Sequence, residues 1–234
     1  MEHLKFSGRI HPNDKRHQLK EVAGTDHVIP PTYVYVPGIG NIPQFAPTVY
    51  GTSIAYDPPN NCQGYFMSYK FQPNNNCYAY GTNICTNSFP QPGRKHGYSL
   101  PSGFTGADVV KGAELDGLQT IGTSLEDIEK HAAIGAGPGH YVGLMISTPD
   151  TANGWPGDYH WARCNVAVSP FNSWSQKDGN DQVTNFDFAG NPIVLPETAN
   201  WTVNQGPDSK GDDLVVIYDF YCYMWVPATG VDII

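Results

Sequence analysis

Proline and glycine punctuate this chain so densely, 20 and 25 of them among 234 residues, that no long helix can run through it. Proline removes a backbone donor and fixes φ, and glycine is at home in turns, so such a chain is built from short elements joined by ordered loops. Its length points to one domain with embellishments. Charged residues make up only 15% of the chain and hydrophobic ones 40%, so Asn, Gln, Ser, Thr, Tyr and Gly must cover most of the surface.

Residues 1–59 hold Ile29-Pro30-Pro31, Val36-Pro37-Gly38 and Asp57-Pro58-Pro59, which interrupt any regular element. This segment reads as a Pro-rich arm wrapped around a single domain formed by residues 60–234, and an arm of that kind suits homo-oligomer assembly. Within it, the alternation Thr32-Tyr33-Val34-Tyr35-Val36 predicts one edge strand, and the charged run 13–21 predicts a short helix. In the domain, helices come first. A short one starts near Asn76, with Asn74, Asn75 and Asn76 all able to cap its free amides. A second is expected over 106–118 and a third over 123–133, the third opened by a capping box in Thr123-Ser124-Leu125-Glu126. Strands follow at 140–147, 158–166, 172–176 and 213–226. Asn153-Gly154 and Pro170 fall in the gaps, which favours consecutive antiparallel hairpins. The fold class is therefore α+β, with short N-terminal helices packed on an antiparallel sheet.

Composition removes several functions. A net charge of −9 repels a phosphate backbone, so no nucleic-acid partner is expected. No apolar run approaches the roughly 20 residues that cross a bilayer. Met1 opens onto a charged segment with no signal-peptide core. The expected location is the cytoplasm, or a virion or extracellular site reached by a non-classical route. Five cysteines are an odd number, and neither Cys-x-x-Cys nor His-x-x-x-His occurs, so neither a complete disulfide framework nor a structural metal is expected. No cofactor is implied. Glu114, Asp116, Asp150, Asp158 and Asp187 offer no pair at a spacing that marks glycoside hydrolysis. Asp178-Gly179-Asn180-Asp181 lacks the remaining ligands of a calcium loop. Asn200-Trp201-Thr202 has the form of a glycosylation sequon, which says little in a chain without a secretory signal.

One set of residues points to chemistry. A thiol becomes nucleophilic at neutral pH when a helix N-terminus and an imidazole stabilise its thiolate, and Cys77 stands at the start of the first helix. The general base must be held on something rigid. His160, within Asp158-Tyr159-His160-Trp161-Ala162-Arg163, shares a strand face with Asp158 and Ala162 and lies opposite Tyr159 and Trp161. His140, in Gly139-His140-Tyr141-Val142-Gly143-Leu144, is the rival base. Asn172 is expected to orient His160 across a hairpin turning about Val166, with Gln176 as substitute. Gln72 is the nearest upstream donor for an oxyanion.

A helix cysteine followed by a sheet that supplies histidine and then a polar residue resembles the papain-like cysteine peptidases and amidases, including the NlpC-type and CHAP-type cell-wall enzymes. His140-Tyr141-Val142-Gly143-Leu144 looks like the histidine strand of the NlpC group, and Asn172-Ser173-Trp174 like the asparagine segment of papain relatives. The two analogies choose different bases, and the Asp-Cys-Ser and Cys-Gly-x-Cys-Trp signatures are missing around Cys77. A second likeness is to uncharacterised bacterial and viral proteins, through Cys77 to Tyr80, Gln91 to Gly93, Tyr159 to Trp161 and Trp174 to Gly179. It implies one continuous domain and brings no activity with it.

The papain-like resemblance implies a cysteine-dependent hydrolase or acyltransferase acting on an amide bond of a peptide or peptidoglycan-like substrate. In it Cys77 attacks, His160 or His140 moves the proton and Asn172 orients the base. The other reading is a non-catalytic binding module or a virion or assembly protein. Fourteen Tyr, ten Phe and five Trp among many Asn and Gln suit binding and packing as well as catalysis.

Overall fold

Each helix starts at a polar side chain that the sequence supplies. The computed structural model describes residues 32–36, 40–44, 66, 74–150, 152, 154–179, 183–207, 211 and 213–234, and within 32–44 and 205–207 the backbone alone. Helix α1 (Cys77–Thr82) is capped by Asn76, whose side chain accepts from the Ala79 amide. Helix α2 (Gly106–Leu115) opens with a capping box between Thr105 and Asp108. Helix α3 (Leu125–Ala133) has its box one residue later than expected, with Ser124 as cap and Asp127, not Glu126, closing it. Such boxes satisfy amides that a helix start otherwise leaves bare.

The strands β3 (Gln119–Gly122), β4 (Gly139–Ser147), β5 (Asp158–Cys164), β6 (Trp174–Lys177), β7 (Val183–Thr184) and β10 (Asp219–Pro227) form one antiparallel sheet. Its order is β3-β10-β4-β5-β6-β7. Two hairpins stand apart from it in pairing: β1 (Thr32–Val36) with β2 (Gly40–Gln44), and β8 (Thr202–Pro207) with β9 (Asp213–Ile217). The mixed α+β class with few helices and an antiparallel sheet is as expected. The run 213–226 divides, however: β9 joins β8, Tyr218 donates its amide to Trp201, and β10 enters the large sheet. Strand β3 lies between two helices in sequence and pairs with the last strand, which local pattern could not reveal. The expected helix over 13–21 and the donor Gln72 lie outside the described residues.

Both faces of the large sheet are covered, so its central strands are buried almost throughout. One face packs Val142, Leu144, Ile146, Tyr159, Trp161, Met224 and Val226 against α1 and α2. The other packs Met145, Ala162, Cys164, Trp174, Tyr223 and Trp225 against Ile128 of α3, the 186–201 segment and the inward side of β8–β9. In β4, β5 and β6, strands of nine, seven and four residues, buried on both sides along nearly their whole length, remove most of the in-out alternation that a half-exposed sheet would show.

The turn before α2 depends on glycine at one close approach. Gly93 has φ of 77°, and its amide reaches the buried carboxylate of Asp116 at 2.7 Å. A Cβ on Gly112 of α2 would lie 2.6 Å from the Pro92 carbonyl oxygen. In an exposed helix Gly→Ala gains roughly 1 kcal/mol of propensity, whereas overpacking costs roughly 1–3 kcal/mol. Gly112→Ala should therefore lower the denaturation midpoint, and a raised midpoint would show that the α2–Pro92 contact is loose.

Candidate functional site

Helix α1 is six residues long and every one of them is buried. A helix this short has little stability of its own, and its orphan amides and carbonyls must find partners away from water. The cap Asn76, the residues just after the helix, the neighbouring loops and the sheet share that task. At the N-terminal end, Asn76 Nδ2 donates to Pro90 O at 3.0 Å, and Lys177, itself fully buried, donates from Nζ to Asn75 O at 2.5 Å and to Gly179 O at 2.8 Å. In the middle, Tyr78 donates to Asp116 Oδ2 at 2.6 Å, and the Tyr80 hydroxyl lies 2.7 Å from Ser175 Oγ. At the C-terminal end, His140 Nε2 meets Gly81 O at 2.6 Å, and Arg163 Nη1 donates to Asn83 Oδ1 at 3.0 Å and lies 3.5 Å from Tyr80 O. Two nitrogen-rich side chains thus stand where the helix dipole is negative.

These bonds fix the roles of the residues singled out as catalytic. Cys77 is 7% exposed, and its Sγ lies 3.9 Å from the Tyr159 carbonyl oxygen. Burial pushes its thiol far up, Asp158 and Asp178 add to this, and the Trp161 amide and Lys177 oppose it only in part. The surroundings expected to favour a thiolate in fact disfavour it, since two carboxylates and low dielectric outweigh one ammonium.

His160 is on the other side of the sheet. Tyr159, Trp161 and Arg163 turn toward α1, so alternation sends His160 into the aromatic set of Phe188, Trp201 and Tyr218, at ring distances of 5.2, 5.5 and 6.1 Å. Its Nε2 is held 3.0 Å from Gln176 Oε1. Asn172 is exposed, outside any strand, with its amide donating to Pro170 O at 2.9 Å. The hairpin turns later than Val166, because Gln176 stands opposite Ala162 and Trp174 opposite Cys164. His140 shares the face of α1 but engages Gly81, at the end of the helix opposite to Cys77. The structure therefore does not bring Cys77, His160 and Asn172 together.

Sequence reasoning missed Lys177, Arg163 and Asp116, the polar residues that hold α1. Lys177 and Arg163 each sit within strands that are otherwise buried, which was the available signal. Asp116 stood among loop carboxylates with nothing to mark it, yet it is 1% exposed and burial raises its pKa against the pull of Tyr78 and Gly93. Among the described residues no group of His, Cys, Asp or Glu could hold a metal ion, and no helix is long and apolar enough to cross a membrane.

No family model and no solved structure matches the chain. Over 124 residues it is 36% identical to insoluble matrix shell protein 1 of Ruditapes philippinarum, a match that spans 53% of this chain and 68% of that protein. The chain belongs to the family of that shell protein. This corrects the expectation of a cysteine-dependent hydrolase or acyltransferase: the family relative is a matrix protein. The physical reason is in the geometry, where the groups that would have to react are consumed in holding a buried helix or lie on opposite faces of the sheet.

Two measurements follow. In the intact protein at pH 8, iodoacetamide should modify Cys77 far more slowly than free cysteine, with full reaction on unfolding; peptide mass spectrometry separates it from half-buried Cys85. Rapid native labelling would contradict the buried, neutral thiol. Burial, reinforced by the Arg163 charge and opposed by the Gly81 bond, pushes His140 down from 6.5 to about 3. A histidine kept neutral in the fold takes up its proton first in the unfolded chain, so its contribution is complete above about pH 6.5 and falls as pH drops toward 3. His140→Gln should flatten the stability curve across that window, and an unchanged slope in chemical denaturation would contradict this assignment.

Proposed function

We propose that this protein is a non-catalytic structural component of an insoluble extracellular matrix. The identity shared with insoluble matrix shell protein 1 over 124 residues carries the reading. The use of the polar groups around α1 in internal bonds supports it, since a protein whose work is packing needs no exposed nucleophile. In this reading the buried helix α1 laid on the antiparallel sheet serves as a rigid unit. The surface suits close association as well: charge is sparse along the chain, and Val215 and Ile217 stand 51% and 57% exposed on the outward side of β9. Neighbouring molecules thus meet few strongly hydrated groups at that side.

Fractionation tests the proposal. An antibody against residues 74–234, applied to the tissue or culture that makes the chain, should find it outside cells. It should remain in the residue left by aqueous and high-salt extraction and be released by denaturant. Recovery of most of the protein from the aqueous intracellular extract would overturn the matrix reading.

A further inference from the structure

Among the asparagines of this chain, Asn200 alone is followed two residues later by Ser or Thr, in Asn200-Trp201-Thr202. That pattern, with a middle residue other than proline, is the acceptor form for oligosaccharide transfer to an asparagine amide. The structure gives the tripeptide properties that the pattern alone lacks. Asn200 is exposed, two residues before the start of β8. Its backbone amide donates to Asp187 Oδ2 at 2.9 Å, and its side-chain Oδ1 accepts from the Thr202 amide, also at 2.9 Å. Main chain and side-chain oxygen are therefore fixed, while no hydrogen bond among the described residues uses Asn200 Nδ2. Trp201 turns the other way: it is buried, donates from Nε1 to Pro196 O at 2.8 Å and packs edge-on against Phe188. The anchored indole leaves Asn200 on the outward side of the chain.

We propose that Asn200 is a site of N-linked glycosylation, which rests on the extracellular reading above because the transfer belongs to the secretory route. The donor class is an oligosaccharide linked to a lipid pyrophosphate. The Asn200 amide nitrogen forms a bond to the anomeric carbon of the sugar, the bond from that carbon to the pyrophosphate oxygen breaks, and one amide proton is released. No electrons are exchanged. The transfer acts on the nascent chain, and the fold tolerates the product because the substituted nitrogen is the one atom of the Asn200 amide that the fold leaves unengaged. Asn200 lies two residues before Thr202, which pairs with Ile217 at the end of the β8–β9 hairpin, so the substituted nitrogen stands where β8 begins.

The experiment is to express the full chain behind an added secretory leader in cultured animal cells and weigh the leader-cleaved protein from both medium and lysate. The wild type should exceed the 25.6 kDa polypeptide by the mass of one N-linked oligosaccharide. Peptide N-glycosidase in heavy-oxygen water should remove it and label position 200. Asn200→Gln and Thr202→Ala should lose the added mass, and Thr202→Ser should keep it. A wild-type chain at the bare polypeptide mass would overturn the assignment, and so would added mass that persists in Asn200→Gln. Finding the natural protein inside cells would overturn the matrix reading alone, leaving the acceptor assignment to stand on the expressed chain.

Discussion

Everything around α1 follows from one constraint: a six-residue helix has been placed wholly out of water, and each polar group at its ends must find its partner within the protein. Leaving one such group unpaired costs about 1–3 kcal/mol, a sizeable share of the stability of a small domain. This constraint explains why a fully buried lysine and an almost fully buried arginine occur in the strands beneath the helix. Lys177 serves the carbonyl before the helix start, and Arg163 serves the Tyr80 carbonyl and the capping Asn83 at its end while lying 5.2 Å from the Tyr80 ring. His140 completes the set as a neutral donor. Since a carbonyl can only accept, the proton of His140 resides on Nε2.

The same constraint accounts for the chemical quietness of Cys77. A thiol at a helix start is reactive where solvent and positive charge reach it, and here tight burial and two carboxylates act in the opposite sense. The aromatic side chains reinforce the arrangement. Tyr78 packs on Trp161 at 5.3 Å, and Phe66 meets Tyr80 edge-on at 5.3 Å, so the helix is gripped by rings as well as by hydrogen bonds. On the far face His160 belongs to a second aromatic group, which ties β5 to the 186–201 segment and to β8–β9.

Much of this was legible in the sequence. Asn76 could be read as a cap, the strands 140–147 and 158–166 fall close to β4 and β5, and alternation rightly set His160 opposite Tyr159 and Trp161. What the sequence could not supply was the face on which α1 lies. With both sides of the sheet buried, Tyr159, His160, Trp161, Ala162, Arg163 and Cys164 are all interior, and no polar stripe announces solvent. The hairpin register was equally hidden, because the turn after β5 is longer than the local signals at Val166 and Pro170 suggested. A cysteine-histidine order along the chain thus became a catalytic expectation although the two side chains occupy different layers. Family membership, resting on 124 aligned residues, then gave the functional context that the order of residues had misdirected.

The central claim is that α1 is a fixed structural element of the core rather than a mobile platform for chemistry. Native-state hydrogen exchange of the Ala79 and Tyr80 amides, bonded to Asn76 at 3.0 and 3.1 Å, tests it most directly. The account predicts that both exchange only through global unfolding, with the same denaturant dependence as the amides of β4 and β5. Exchange through a smaller, denaturant-independent opening while β4 and β5 remain protected would contradict it.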